Sequence, residues 1–313
     1  DCDPSTSDTT AAAACSAAAD FSVNPTQMAN AMDICQTTTA SPPLSDRKWG
    51  LISAQFLTPE GNTPASGQLS SMQNSQGAVL ANYGNYITPQ NGSTMAGISA
   101  GWMRDAGDSG YPGSPSTGFG YYQNPPASYL AAHGGALPAS MGCSGSCPSG
   151  SGANDGINLR LTIRVPTNAQ SFSYEFRFFS WEYWVYSCTS YNDFYLALLD
   201  SDASGLPTDG NISFDSLGNP VSVNNGFFEV CAPKGCYTCP EGTTELSGTG
   251  MDNSGYGGGT VWLTTTAPVV PGEIIVLDLM VFDVSDAVLD SLTIMDNFQW
   301  SIDASGVGTT PSE

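Results

Sequence analysis

The sequence predicts a mainly β protein: an antiparallel β-sandwich or jelly roll behind a short N-terminal helical segment. From residue 157 onward apolar and polar residues alternate with a period of two in successive short segments. Turn residues such as Asp209-Gly210, Gly218-Asn219-Pro220 and Pro271-Gly272 separate those segments. Helix-forming composition is confined to the start of the chain.

The chain divides into 1–40, a helical segment; 41–156, Gly/Ser/Pro-rich loops and short strands packed on the sandwich; 157–303, the sandwich core; and 304–313, a tail, all in one compact domain. Residues 8–35 are the helical stretch, with Asp8 and Thr9 as caps before the run Ala11 to Ala19. Asn24-Pro25-Thr26 restarts a second segment with Met28, Met32 and Ile34 near one face. Between 40 and 155, Trp49 to Phe56, Ala78 to Ile87 and Met95 to Met103 read as short strands and ordered loops, and 142–156 as a loop.

In NLRLTIRV, Leu159, Leu161, Ile163 and Val165 share the buried face, with Arg160, Thr162 and Arg164 opposite. In FSYEFRFFS, Phe172, Tyr174, Phe176 and Phe178 share a face, with Glu175 and Arg177 opposite. FYLALL, NISF, GFFEV and TVWLTTT follow. Glu273–Asp283 is apolar on both faces, which predicts a central strand. In LTIMDNFQWSI the inward set reads Leu292, Ile294, Asp296, Phe298, Trp300 and Ile302.

Seven Lys+Arg stand against 29 Asp+Glu, a formal net charge of −22. That balance excludes nucleic acid, which needs clustered cations, and docking on anionic lipid. No run of apolar residues approaches the length of a membrane span. The chain opens like a mature exported protein whose signal peptide has been removed. Nine cysteines in a Ser/Thr/Asn/Gly-rich setting read as disulfides outside the cell rather than zinc half-sites, since the one histidine, His133, lies in a Gly/Ala stretch. The expected pairs are Cys15 with Cys35, Cys143 with Cys147, Cys188 with Cys231, and Cys236 with Cys239, leaving Cys2 spare.

Asp296 sits where its neighbours place the core, and a buried carboxylate is costly without a metal, an arginine or several donors. DVSDAVLDS adds Asp283, Asp286 and Asp290, and SWEYWVYSCTSYNDF adds Glu182, Asn192 and Asp193. Such hard oxygen ligands are those that Ca²⁺ takes, so a Ca²⁺ site is expected between these segments. The competing expectation is a solvated acidic face plus one hydrogen-bonded buried Asp. Trp181, Tyr183, Trp184, Tyr186 and Tyr191 form a glycan-stacking platform, a subunit interface or a core plug.

Catalytic readings are weak. A nucleophile triad must use His133, and no GxSxG motif occurs. A carboxylate pair built on Glu175 or Glu182 would suit glycoside hydrolysis, but any acid-rich chain offers such pairs. Asn91-Gly-Ser93 and Asn211-Ile-Ser213 match the N-glycosylation pattern.

LRLTIRVPTNAQSFSYEFRFFSWEYWVYSCTSYNDFYLALLDS resembles the core of the bacterial choice-of-anchor L domain family, in its secreted, myxobacterial type. DGNISFDSLGNPVSVNNGFFEVC, LSGTG, WLTTTAPVVPGE and LDSLTIMDNFQW continue the likeness. AAAACSAAADF and NGSTMAGISAGWMRD extend it over nearly the whole chain. Trp184 departs from the family pattern, where proline is common, and DVSDA departs where a Gly-containing Asp loop is common. The resemblance implies an exported, surface-held or released protein and brings no catalytic residues. The expected function is a non-enzymatic, self-assembling subunit of a surface fibre, sheath or layer. A Ca²⁺-dependent adhesin or carbohydrate-binding module is the alternative, and a secreted glycoside hydrolase the third reading. The expected partners are further copies of the chain or surface glycans.

Overall fold

The computed structural model describes residues 15, 17–43, 46–116, 118–142, 145–224, 227–252 and 255–312. The expected helix over 8–14, and the calls on Cys2 and Cys143, lie outside the described residues. Ala17–Ala19 are not helical. Asp20 instead exchanges two backbone hydrogen bonds of 2.9 Å with Val79, which extends a sheet edge. Helix α1 (Pro25–Ala31) forms where Asn24-Pro25 predicts it. The Asn24 side chain accepts from the Gln27 amide at 3.0 Å and Gln27 returns the bond at 2.8 Å, a reciprocal cap. Met28 and Met32 are fully buried.

The strands are β1 (Gly50–Leu57), β2 (Gly77–Leu80), β3 (Met95–Ser99), β4 (Met141–Gly142), β5 (Gly145–Ser146), β6 (Asn154–Arg164), β7 (Ser171–Ser180), β8 (Phe194–Asp200), β9 (Val221–Ser222), β10 (Phe228–Cys231), β11 (Gly258–Thr260), β12 (Leu263–Pro268), β13 (Ile274–Asp283), β14 (Ser291–Ser301) and β15 (Gly308–Pro311). Helix α2 (Ser66–Ser71) runs into a π turn, and α3 (Ala127–Ala132) follows. One sheet has the order β1-β6-β13-β8-β9. The other has β10-β11-β7-β14-β3-β2, with β12 and β15 attached beside β7. All strand pairs are antiparallel. The expected 142–156 loop is therefore corrected: it contains the β4–β5 hairpin and the start of β6.

Leu159, Leu161 and Ile163 of β6, Ile275, Leu277, Leu279 and Val281 of β13, and Phe172, Tyr174, Phe176 and Phe178 of β7 fill one core between the sheets. That makes a two-sheet sandwich, with β13 central as its double-faced apolarity requires. Met280 and Phe282 face outward, beneath Tyr129 of α3 and Leu137. Leu292 and Ile294 also face outward, beneath Tyr83, Ile87 and Met103. Both outer faces thus carry a loop layer.

That layer overturns two expectations of solvent-facing arginines. Arg164 is 6% exposed and donates to Ala40 O and Gly272 O. Arg177 is 2% exposed, donates to Thr260 O, and lies 2.7 Å from Glu245. Arg104 likewise clamps the carbonyls of Met103, Phe21 and Asn74. A guanidinium carries five donors, so one side chain ties several carbonyls from separate loops to the sandwich.

β14 contains a bulge. Its register with β7 shifts between Asp296 and Gln299, and Asn297 has φ 53°. Leu292, Ile294 and Asp296 lie on the outer face, whereas Phe298 and Trp300 enter the inter-sheet core with Met295. The single inward set expected from strict alternation is therefore wrong: one extra residue reverses the phase. Ile302, expected inward, is 47% exposed, because β14 ends at Ser301.

Candidate functional site

Four strand ends meet at one end of the sandwich. Glu182 follows β7, Asp193 precedes β8, Asp283 closes β13, and Asp290 precedes β14. These four carboxylates are 1%, 0%, 1% and 1% exposed. Asp286 is half-buried between the last two, and Asp155, at the start of β6, is fully buried. Antiparallel pairing brings the β7–β8 and β13–β14 connections to the same end, so the acids at the two ends of each lie near one another.

Asp193 Oδ1 accepts from the Val284 amide at 2.9 Å and its Oδ2 accepts from Ser291 Oγ at 2.6 Å. Neither oxygen of Asp283, nor Glu182 Oε2, nor Asp286 Oδ1 has a hydrogen-bond partner. Asp155 differs: its carboxylate accepts three backbone amides, from Phe119, Gly120 and Tyr121.

Burial pushes the Glu182 carboxyl up to about 11, reinforced by Asp193 and Asp286. Burial also pushes Asp193 up to about 7, against its two hydrogen bonds and with Asp286 and Asp290 adding. Asp283 is driven well above the usual carboxylate range by burial, then by Asp193, Asp290, Glu182 and Asp155. Every charged group acting on these three is another acid.

Two expected ligands stand elsewhere. Asp296 is separated from Ser291 by five strand residues, about 16 Å. Its carboxylate accepts from the amides of Gln90, Asn91 and Asn297, and Asn91 Nδ2 in turn donates to Asp33. Burial raises Asp296 to about 7, eased by those amides. It fits the competing expectation of one hydrogen-bonded buried Asp. Asn192 turns its amide oxygen to the Asn224 amide, 3.0 Å away, and holds that loop. Sequence reasoning missed Asp155, although an Asn-Asp-Gly at a strand start is a signal; Asn154 pairs with Asp283 in the ladder.

The aromatics form no single platform. Tyr183 is 1% exposed and stacks on Phe228 at 4.4 Å, so it belongs to the core. Trp184 is half-buried under Lys234, 4.4 Å from its ring, and donates to Gly255 O. Trp181 packs on Tyr256, and Tyr186 packs edge-on to Tyr191.

Three of the four expected disulfides, Cys143–Cys147, Cys188–Cys231 and Cys236–Cys239, are corrected. Cys15–Cys35 forms as expected, but Cys147 pairs with Cys188, and Cys231 with Cys239. Cys236 is disulfide-bonded too, though not to Cys239. The reason is a turn: Lys234 and Tyr237 exchange two backbone bonds of 3.0 Å across Gly235 at φ 60°. The turn puts Cys236 at its tip and returns Cys239 beside Cys231.

His133 Nε2 lies 2.9 Å from Asp209 and packs on Tyr129. Glu175 accepts from Asn297. Asn211 is 3% exposed, and its side chain bonds Ala197 N and Ser213 O, which leaves no room for a glycan.

A disulfide-stapled sandwich with acids at its loop end and no helix, among the described residues, long and apolar enough to cross a membrane defines the class. Residues 158–298 match the model of the Choice-of-anchor L domain. The match spans most of the sandwich, from β6 to the bulge of β14. Comparison with curated proteins and with solved structures gave no match. The domain and the disulfides together point to a cell-surface or extracellular protein.

Proposed function

We propose that the chain is a non-enzymatic structural subunit outside the cell that joins copies of itself. The observation that supports this is an open sheet edge. β2 is bridged by Asp20, β1 by Thr37 and β10 by Gly242, while β9 is only two residues long. Among the described residues β15 pairs with β12 alone. Gly308–Pro311 is uncharged and rich in threonine, so it lacks the edge charges that usually block strand addition. Against a glycosidase, Glu182 is 1% exposed and Glu175 is engaged by the Asn297 side-chain amide at 3.0 Å.

Electron microscopy of native material tests the reading. Filaments or lattices are expected, and Thr309→Pro should reduce them by removing an edge donor. A strictly monomeric native protein in sedimentation would overturn it.

A second reading, a glycan-binding module, is favoured by a groove of about 490 Å³ lined by Tyr86, Tyr256 and Asp252. Tyr86 is 56% and Tyr256 38% exposed, and such rings stack on sugar faces. Glycan binding that disappears in Tyr256→Ala would support it over the first.

A further inference from the structure

The acids where β7, β8, β13 and β14 end have an energetic problem that the rest of the fold does not solve. A buried carboxylate needs donors or a counter-charge. Asp155 and Asp296 have three backbone amides each. Arg160 gives Asp278 two bonds of 2.8 Å. Asp283 is 1% exposed and neither of its oxygens has a partner, while Glu182 and Asp286 each keep an unpartnered buried oxygen. The groups acting on Asp283 are Asp193, Asp290, Glu182 and Asp155, so the bare carboxylate faces the other acids.

We propose that Asp283, Glu182 and Asp193 are ligands of one divalent cation of the Ca²⁺ class, with Asp286 at its margin. The donors are all hard oxygens, with no imidazole or thiolate among them, which selects Ca²⁺ or Mg²⁺ over transition metals. They come from two segments, the β7–β8 connection and the end of β13, rather than from one short loop. Ca²⁺ tolerates that irregular geometry and takes six to eight oxygens, whereas Mg²⁺ demands a near-ideal octahedron. Among the described residues no three acidic, His or Cys side chains already form a closed ligand group. The ion therefore draws the acids together as it binds and ties the ends of both sheets to each other.

The test uses the whole chain with its disulfides intact. Tb³⁺, a luminescent Ca²⁺ substitute, should show emission sensitised by Trp181 and Tyr186 beside Glu182, and Ca²⁺ should displace it. Ca²⁺ should raise the melting temperature over that in EDTA. Asp283→Asn should weaken Ca²⁺ binding by at least about tenfold, the range that even outer-shell changes produce. In EDTA the same variant should melt no lower than the parent chain, because it removes a buried charge without a partner. Asp296→Asn should leave Ca²⁺ binding unchanged. Absent Tb³⁺ emission together with a melting temperature indifferent to Ca²⁺ would overturn the proposal. So would full Ca²⁺ affinity in Asp283→Asn.

Discussion

Replacing Phe298 and Trp300 together with alanine should abolish the native fold. Asn297 is the extra residue of the β14 bulge, in the left-handed region at φ 53°, and the bulge turns the two rings into the inter-sheet core, where they are 2% and 7% exposed. Phe172 would lose both its stacking partner at 5.2 Å and its edge partner at 6.0 Å. Truncating a buried Phe or Trp to alanine costs about 3–5 kcal/mol, so the sum is comparable to the roughly 5–15 kcal/mol that holds a typical domain together. Near-ultraviolet circular dichroism should lose its aromatic signal. Deleting Asn297 provides the contrast: Asp296 and Phe298 become consecutive, and alternation still sends Phe298 and Trp300 inward, opposite Tyr174 and Phe172. That loss is limited to the bulge's own bonds, such as the one from Asn297 to Glu175. A double alanine variant that melts within a few degrees of the parent chain would show that the two rings do not hold the sheets together.

Replacing Cys147 and Cys188 together with serine should lower stability by about 4 kcal/mol in the chain-entropy account of a closed loop this long. The bond links residues 41 apart in sequence. It fastens the β4–β5 hairpin to the connection between β7 and β8, which holds Glu182 and Asp193. At about 2.1 cal/mol/K per residue over a chain of 313, that loss corresponds to a fall of about 6 °C in melting temperature. Calorimetry of the double variant measures it. A fall below about 1 °C would mean that the hairpin is held by its other contacts alone.

The strands were legible because the alternation in β6 and β7 and the double-faced apolarity of β13 survive into the structure. The bulge was not legible. Both faces of β14 are covered, so apolar residues occur on either side of Asp296, and a one-residue insertion leaves no break in the pattern. The same cover hid the burial of Arg164 and Arg177, which read as solvent-facing in a sandwich with one wet side. Cys236-x-x-Cys239 looked like a pair by proximity, but pairing follows the turn at Lys234–Tyr237 rather than spacing. The acids at the strand ends were legible as two segments. Asp296 joined them falsely because it lies in phase with the apolar residues before it, and Asp155 was passed over inside a stretch read as loop.

The sunken arginines also decide where the folded chain can be cut. A protease that cleaves after Lys or Arg finds Arg104, Arg164 and Arg177 inside the body and Arg160 half-covered by its bidentate Asp278. The exposed targets are Arg47, Lys48 and Lys234. A nick after Lys234 falls between Cys231 and Cys239, which are bonded to each other, so its two ends stay covalently joined. The cut would be visible only on a reducing gel, and a molecule standing outside the cell could be nicked at that turn without coming apart.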